Sequence, residues 1–166
     1  MGSGKTAVGR QLARELKRDF LDTDVEIEKR TGVDIPFIFE KEGEAGFRER
    51  EREMLAELAQ RRNAVIATGG GIVLDADNRR QLAATGIVVF LRTTVDEQLK
   101  RTRRTRTRPL LLTDDPRKVL SKLLEERQPL YESLADIAID TTGKRVKRVA
   151  SSLHKLISEK LAALQS

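Results

Sequence analysis

Met1-Gly2-Ser3-Gly4-Lys5-Thr6 opens the sequence and leads directly into a helical pattern. Gly-Lys-Thr at a helix start is the second half of a phosphate-binding loop, or P-loop, whose full pattern is G-x-x-x-x-G-K-[ST]. Glycines let backbone N–H groups approach phosphate oxygens closely, and the helix that follows directs its positive dipole end at the same anion. In such a loop Lys5 would neutralise the β- and γ-phosphates, and the Thr6 hydroxyl would bind Mg²⁺.

Two observations prevent this motif from deciding the function alone. A Gly/Ser tag in front of a helix that starts with Lys-Thr would look the same. The first glycine of the full pattern would also lie two residues before Met1, and the strand that normally delivers the loop is absent from the sequence. We therefore expect that the biological protein begins upstream or that this start is artificial, and the rest of the chain must support the motif.

Composition favours a single α/β domain spanning residues 1–166. Charged residues make up 35% and aromatic residues 4%, so the core must be aliphatic. The sequence contains no Cys, which excludes disulfides and thiolate metal sites and is compatible with the cytoplasm, the location that we predict. It has no apolar run of membrane-spanning length and no secretory signal, so we expect no membrane partner. The net charge of +6 suits an anionic small substrate or nucleic acid.

Hydrophobic periodicity predicts strands that alternate with helices, as in α/β proteins. Strands are expected at about 20–21, 65–67, 87–91 and 137–140. Helices are expected at about 7–17, 25–30, 35–39, 47–58, 76–84, from 94 or 96 to about 100, from 115 and at 149–164. Gly32 and Gly86 are expected to end two of these helices. Pro129 is expected to interrupt and kink the helix that starts at residue 115.

Polar and glycine-rich segments follow two of the predicted strands. Asp22-Thr23-Asp24 follows the first strand, and Thr68-Gly69-Gly70-Gly71 follows the second. Ligands of open α/β sheets bind at the carboxyl ends of strands, where one carboxylate could hold a Mg²⁺-bound water and the next could orient a substrate hydroxyl. The acidic segment could also be only a helix cap, with Thr23 or Asp24 in the capping position. Three glycines indicate a tight turn or a close approach to the backbone.

Several arginines are candidates for anion binding. Arg48 and Glu51 lie one helical turn apart and can pair, and Arg127 lies beside the predicted kink, where a side chain can point inward. The run 101–109 is rich in Arg and Thr and is closed by a proline. It could be a basic arm that binds nucleic acid, a solvated loop, or a lid that closes an arginine over nucleotide phosphates.

In their order along the chain, these motifs resemble those of the shikimate kinase family of small P-loop kinases, over essentially all 166 residues. They are Gly-Ser-Gly-Lys-Thr at 2–6, Asp-Thr-Asp at 22–24, Gly-Glu-x-x-Phe-Arg-x-x-Glu at 43–51, Thr-Gly-Gly-Gly at 68–71, Arg-Pro-Leu-Leu at 108–111 and Arg-x-Pro-Leu-Tyr at 127–131. The resemblance implies a three-layer α/β/α P-loop kinase fold, with a parallel sheet of order 2-3-1-4-5. It also implies a P-loop at 1–6, a substrate-binding helical segment at about 24–60 and a lid at about 101–114.

The strand missing from this sequence would be the first and central strand of that sheet. Its loss would expose two strand edges and remove core, so we expect the 166-residue chain to be unstable or inactive.

The resemblance further implies ATP-dependent phosphorylation of the 3-hydroxyl of shikimate, with Lys5, Asp24 and Arg108 as catalytic residues. It implies ATP binding by Gly2, Ser3, Gly4, Lys5, Thr6, Ala7, Arg101 and Arg108, with Arg101 packing over the adenine. It implies Mg²⁺ binding by Thr6 and, through water, by Asp22. It implies shikimate binding by Asp24, Arg48, Gly69, Gly70, Gly71 and Arg127, with Glu51 holding an arginine in place.

Two rival functions make different predictions. Another small P-loop kinase, such as a gluconate-kinase-like or adenylate-kinase-like enzyme, would share the loop but has less use for Asp24 together with two separate arginines. A non-catalytic nucleotide- or nucleic-acid-binding module would bind through the Arg-rich run in a strongly salt-dependent way. Aromatic residues for base stacking are scarce, so we expect no nucleic-acid partner and, from the resemblance, a monomer.

Overall fold

The computed structural model describes residues 2–102 and 109–165, in which helices alternate with short strands. The helices are α1 (Lys5–Leu16), α2 (Thr23–Thr31), α3 (Ile35–Leu58), α4 (Ala76–Thr85), α5 (Val95–Thr102), α6 (Pro116–Leu134) and α7 (Val146–Gln165). The strands are β1 (Asp19–Asp22), β2 (Ala64–Ala67), β3 (Val89–Arg92) and β4 (Ile137–Asp140). Two 3₁₀ turns cover Ile72–Leu74 and Pro109–Leu111. Within the described ranges, no helix combines the length and apolar character needed to cross a bilayer.

The four strands form two parallel pairs. β1 pairs with β2, with Asp19 opposite Ala64, and β3 pairs with β4, with Val89 opposite Ile137. In the expected order 2-3-1-4-5, β1 to β4 correspond to strands 2, 3, 4 and 5. The order therefore requires pairing of β1 with β2 and of β3 with β4, as observed. Among the described residues, β2 and β3 are not paired with each other.

The alternation of side chains along each strand places helices on both faces of the strands. On one face, Val65, Val89 and Leu91 pack against α1 and α7, where Leu12 and Leu153 are buried. On the other face, the intervening residues point towards other helices. Leu21 and Ile66 pack against the α2–α3 cluster, and Phe90 stacks on Tyr131 of α6. This arrangement of helix, strand and helix layers confirms the predicted α/β architecture.

Two helices differ from their predicted form. α3 joins the two helices predicted at 35–39 and 47–58, and the only non-helical residue within it is Gly43, with φ 70° and ψ −176°. α6 continues through Pro129, where an interruption was predicted. Pro129 and Glu125 lie on the exposed face of α6, where water can bind the Glu125 carbonyl that lacks its helical partner. The predicted stops hold, because Gly32 ends α2 with φ 73° and Gly86 follows α4.

Candidate active site

The amino end of α1 is built as an anion-binding loop. Gly4 precedes the helix with φ 87°, and its carbonyl accepts a 2.9 Å hydrogen bond from the backbone N–H of Val8. No side chain caps this helix, so its first N–H groups are open to an anion. Gly2 has φ 68°, and a β-carbon there would lie 3.0 Å from the backbone of Gln98, which explains the need for glycine.

The loop is held by α5 and by the end of β4. Arg101 Nη1 donates to the carbonyl of Gly2 at 3.2 Å, and Thr141 Oγ1 donates to the carbonyl of Ser3 at 3.3 Å. Arg101 Nη2 also donates to the carbonyl of Thr141 at 3.2 Å. Arg101 thus lies against the loop, and the resemblance assigns both to the nucleotide. Sequence reasoning missed Thr141, because only the fold brings it to the loop.

Asp22 connects the P-loop to the start of α2. Its Oδ2 accepts a 2.9 Å hydrogen bond from Thr6 Oγ1, and its Oδ1 accepts one of 3.1 Å from the backbone N–H of Asp24. Asp22 is therefore the cap of α2, and the expectation that Thr23 or Asp24 caps this helix is wrong. A capping residue lies just before the first helical residue. Because α2 begins at Thr23, that position is occupied by Asp22.

The same pair of oxygens fits a magnesium ion. Mg²⁺ prefers oxygen ligands and in phosphoryl-transfer sites takes one or two from the protein and others from phosphates and water. Thr6 Oγ1 and Asp22 Oδ2 supply one hydroxyl and one carboxylate oxygen beside the loop. Elsewhere in the described part of the chain, no group of three or more His, Cys, Asp or Glu side chains is arranged to hold a metal.

The ends of β1 and β2 bring Asp24 to the glycine segment. Thr23, which is fully buried, accepts a 3.2 Å hydrogen bond from the backbone N–H of Gly69. A β-carbon on Gly69 would lie 3.4 Å from Asp24 Oδ1. The two strand ends predicted to form the site are therefore in direct contact, and Thr23 makes the connecting bond.

Arg48 and Glu51 of α3 pack directly on the glycine segment. Arg48 Nη1 donates to Glu51 Oε2 at 2.7 Å, which confirms the predicted pair. A β-carbon on Gly71 would overlap the Arg48 guanidinium, and one on Gly69 would overlap Glu51 Oε1. At both positions, the chain's own ion pair occupies the space that a side chain would fill, so a larger residue would have to displace Arg48 or Glu51.

The site is a cluster of buried opposite charges. Burial raises the pKa of Glu51, and the charge of Asp24 adds to this rise, whereas Arg48 and Arg127 oppose it. Burial alone would lower the pKa of Arg48, but the carboxylates of Glu51 and Glu44 raise it above its ordinary value. Arg48 therefore stays charged, and the ionisation of Glu51 depends on the two arginines.

Arg127 of α6 reaches the same cluster. Its side chain is buried, and its Nε has no hydrogen-bond partner within the described residues. One turn later, the hydroxyl of Tyr131 donates to the carbonyl of Gly70, and its ring stacks on Phe90 with centroids 4.8 Å apart. Burial raises the pKa of Tyr131, so this hydroxyl keeps its proton. Sequence reasoning included Tyr131 in the motif at 127–131 but gave it no role, although its spacing of four residues places it beside Arg127 on the helix.

The structure brings most of the predicted site residues together at two adjoining places. One place contains the loop, Thr6, Asp22 and Arg101, and we call it the nucleotide side after the role that the resemblance implies. The other lies at the ends of β1 and β2, and we call it the acceptor side for the same reason. The acceptor side contains Asp24, Arg48, Glu51, Gly69, Gly70, Gly71 and Arg127. Lys5 is the first residue of α1, followed by Thr6 and Ala7. Residues 103–108 of the lid predicted at about 101–114, including Arg108, lie outside the described residues.

Comparison with known proteins identifies relatives along nearly the whole chain. A family model described as shikimate kinase matches residues 1–158. The shikimate kinase of Vibrio parahaemolyticus is 49% identical over 160 residues, which cover 96% of this chain and 93% of the relative. That of Francisella tularensis subsp. novicida is also 49% identical over 160 residues, covering 96% and 91%.

Solved structures agree with these relatives. The shikimate kinase of Acinetobacter baumannii in complex with shikimate has a TM-score of 0.94 at 49% identity, covering 96% of this chain and 89% of that one. The shikimate kinase of Aquifex aeolicus has a TM-score of 0.81 at 38% identity, covering 100% and 95%. The predicted P-loop kinase fold and kinase class are thereby confirmed, and the chain belongs to the shikimate kinase family.

Proposed function

We propose that this chain transfers the γ-phosphoryl group of ATP to the 3-hydroxyl of shikimate, giving shikimate 3-phosphate. Membership of the family supports the reaction. The observation that carries the assignment is the position of the Arg48–Glu51 pair, packed on Gly69 and Gly71 beside Asp24. A carboxylate base and two arginines around one glycine segment suit a substrate that carries both hydroxyl groups and a carboxylate.

The nucleotide side supplies charge and orientation. The uncapped N–H groups of α1 bind phosphate oxygens, and Lys5 at the start of α1 neutralises charge on the β- and γ-phosphates. Arg101, held against Gly2 and Thr141, forms part of the wall next to the adenine. Thr6 and Asp22 would hold Mg²⁺, which when bound supplies positive charge to the phosphates.

Asp24 orients the acceptor hydroxyl. In the ionised form, its carboxylate accepts the hydrogen bond of the 3-hydroxyl and takes its proton as the oxygen attacks phosphorus. Because Asp24 is in the first turn of α2, two residues after the cap Asp22, the backbone that carries the base also carries the metal-side carboxylate. One short segment therefore carries both the residue that orients the acceptor hydroxyl, Asp24, and the residue beside the phosphate-binding loop, Asp22.

Arg48 and Arg127 bind the substrate carboxylate. The guanidinium group presents a planar fork that matches two carboxylate oxygens. Arg127 Nε is a buried donor without a partner in the described part of the chain, a state that costs about 1–3 kcal/mol unless a ligand accepts the bond. A carboxylate bound there supplies that acceptor.

Three further expectations remain part of this proposal. Arg108 acts from the lid on the transferring phosphoryl group, as the resemblance implies, and the protein works as a monomer in the cytoplasm. It binds neither nucleic acid nor membranes. Light scattering after size exclusion measures the oligomeric state, and binding to labelled RNA over a range of salt concentrations tests the nucleic-acid prediction.

A coupled ADP-release assay with Mg·ATP tests the proposed reaction. Shikimate is the acceptor, and gluconate and AMP serve as acceptors of the rival kinases. We expect ADP release that depends on shikimate, and a product whose phosphorus signal couples to the proton at position 3. ADP release with gluconate or AMP but not with shikimate would contradict the proposal.

A further inference from the structure

Arg48 is bound by a second carboxylate in addition to Glu51. Glu44 Oε1 accepts hydrogen bonds from Arg48 Nε at 3.2 Å and from Arg48 Nη2 at 2.8 Å. Glu51 Oε2 accepts from the remaining nitrogen, Nη1, at 2.7 Å. All three nitrogens of the guanidinium are therefore occupied by carboxylates of the chain itself.

The two carboxylates differ in how easily they can leave. The side chain of Glu51 is 1% exposed and packs on Gly69, so it is a fixed partner. The side chain of Glu44 is 48% exposed, so water can replace Arg48 as its partner. An incoming carboxylate can therefore displace Glu44 but not Glu51.

The backbone next to Glu44 supports such a movement. Gly43, with φ 70° and ψ −176°, lies in a region that is open essentially to glycine alone, and it separates residues 35–42 from the helical segment that starts at Glu44. No atom lies within 4 Å of a β-carbon built on Gly43, so the space beside this residue is open. Glu44 is thus the first residue after a break in the helix.

We propose that Glu44 is an internal competitor for Arg48 and sets the affinity of the site for its substrate. In the empty site, Glu44 occupies Nε and Nη2, the edge of the guanidinium that the substrate carboxylate requires. Binding exchanges one carboxylate for another, so the affinity for substrate is lower than Arg48 alone would give. This inference rests on the proposed function, because it takes the substrate to be a carboxylate that binds Arg48.

Isothermal titration calorimetry with shikimate and with its neutral methyl ester tests this exchange. We expect Glu44→Gln to lower the Kd for shikimate about two- to fivefold, the factor that corresponds to a partly exposed ion pair. Glu44→Ala, which removes the contact altogether, should lower this Kd by at least as much. Neither substitution should change the Kd of the methyl ester, which has no charge with which to displace Glu44.

Glu49→Gln is the matched control, because Glu49 is on the same helix and pairs with Arg52 instead. Its Kd for shikimate should equal that of the unsubstituted chain. An unchanged or higher Kd in the Glu44 variants, or equal tightening of the ester, would overturn the inference and make Glu44 a support for Arg48. Failure of the unsubstituted, folded chain to bind shikimate would instead refute the proposed function, and the inference with it.

Discussion

Thr6 donates a hydrogen bond of 2.9 Å from its hydroxyl to Oδ2 of Asp22, and this contact joins the P-loop to the end of β1. The other oxygen of Asp22 caps α2. One carboxylate therefore contributes both to the candidate metal site and to the stability of the helix that carries Asp24.

Asp22→Asn separates these two roles, because Asn caps a helix as well as Asp does but carries no charge. We expect a melting temperature close to that of the unsubstituted chain and a clear increase in the Mg²⁺ concentration needed for half-maximal activity. Asp34→Asn is the control, since Asp34 caps α3 through a 3.0 Å bond from Phe37 N and is not near the loop. An unchanged Mg²⁺ requirement in Asp22→Asn would remove Asp22 from the metal site.

Asp24→Asn should lower turnover by about 10²–10⁴-fold, the contribution typical of a positioned base. The Kd for ATP should change little, because Asp24 acts on the acceptor hydroxyl. Turnover and nucleotide binding are measured separately, by ADP release and by titration calorimetry. Asp19→Asn, at the exposed start of β1, should leave both unchanged. Normal turnover in Asp24→Asn would exclude the proposed role.

Arg127→Ala should raise the KM for shikimate by the equivalent of about 1.5–3 kcal/mol, because a bond to a charged partner is lost. The KM for ATP should stay close to its original value. Arg117→Ala is the control on the same helix, because Arg117 is exposed and pairs with Asp96 at 2.6 Å. Equal damage to the KM values of both substrates would argue that Arg127 supports the fold rather than the acceptor site.

The raised pKa of Glu51 predicts a pH dependence of substrate binding. Protonation of Glu51 removes the negative charge that holds Arg48, so the KM for shikimate should rise as the pH falls through the pKa of Glu51, which burial raises above its ordinary value. Glu51→Gln should have a raised KM that no longer depends on pH in this range. Retention of the same acidic rise in Glu51→Gln would assign it to another group.

The raised pKa of Glu51 also predicts how the stability of the fold depends on pH. A group that binds its proton more tightly in the folded chain stabilises the fold below its unfolded pKa, and this contribution is lost as the pH rises through the folded pKa. As the pH rises from 4 through the raised pKa of Glu51, the free energy of unfolding of Glu51→Gln should therefore increase relative to that of the unsubstituted chain. Urea unfolding at several pH values measures this difference.

Gly43→Ala should destabilise the chain by about 1–3 kcal/mol, because alanine is strained at the φ and ψ of this residue. Gly86→Ala is a matched control. A β-carbon at either glycine meets no atom within 4 Å, but Gly86 has an extended φ of 179° that any residue adopts. Urea unfolding of both variants compares them directly. Equal stability of the two variants would show that the backbone at residue 43 relaxes without cost.

Local signals in the sequence predicted most element boundaries. Asp115-Pro116 starts α6, Gly32 ends α2, and the apolar run before Asp140 forms the last strand. The predicted interruption at Pro129 was wrong, because it depended on whether the residue is exposed in the folded protein. Pro129 faces solvent, and α6 continues through it. The predicted cap of α2 was wrong by one or two residues, because three neighbouring polar side chains could all serve as caps.

The candidate site was predicted wherever a contact is local or where strand ends meet. The Arg48–Glu51 pair spans one helical turn, and the sheet brings Asp24 to Gly69. The hydrogen bond from Tyr131 to Gly70 could not be predicted, because 61 residues separate the two positions. The sequence also could not show that Arg48 and Glu51 themselves fill the space beside Gly69 and Gly71.

The bond between Thr141 and Ser3 has a consequence for biosynthesis, since 138 residues separate its two ends. During synthesis the P-loop therefore leaves the ribosome well before Thr141, which anchors it. At about 5–20 residues per second, the loop waits roughly 7–28 s for Thr141 to be synthesised. The last of these contacts of the loop therefore forms late in synthesis, and the final geometry of the P-loop depends on residues far along the chain.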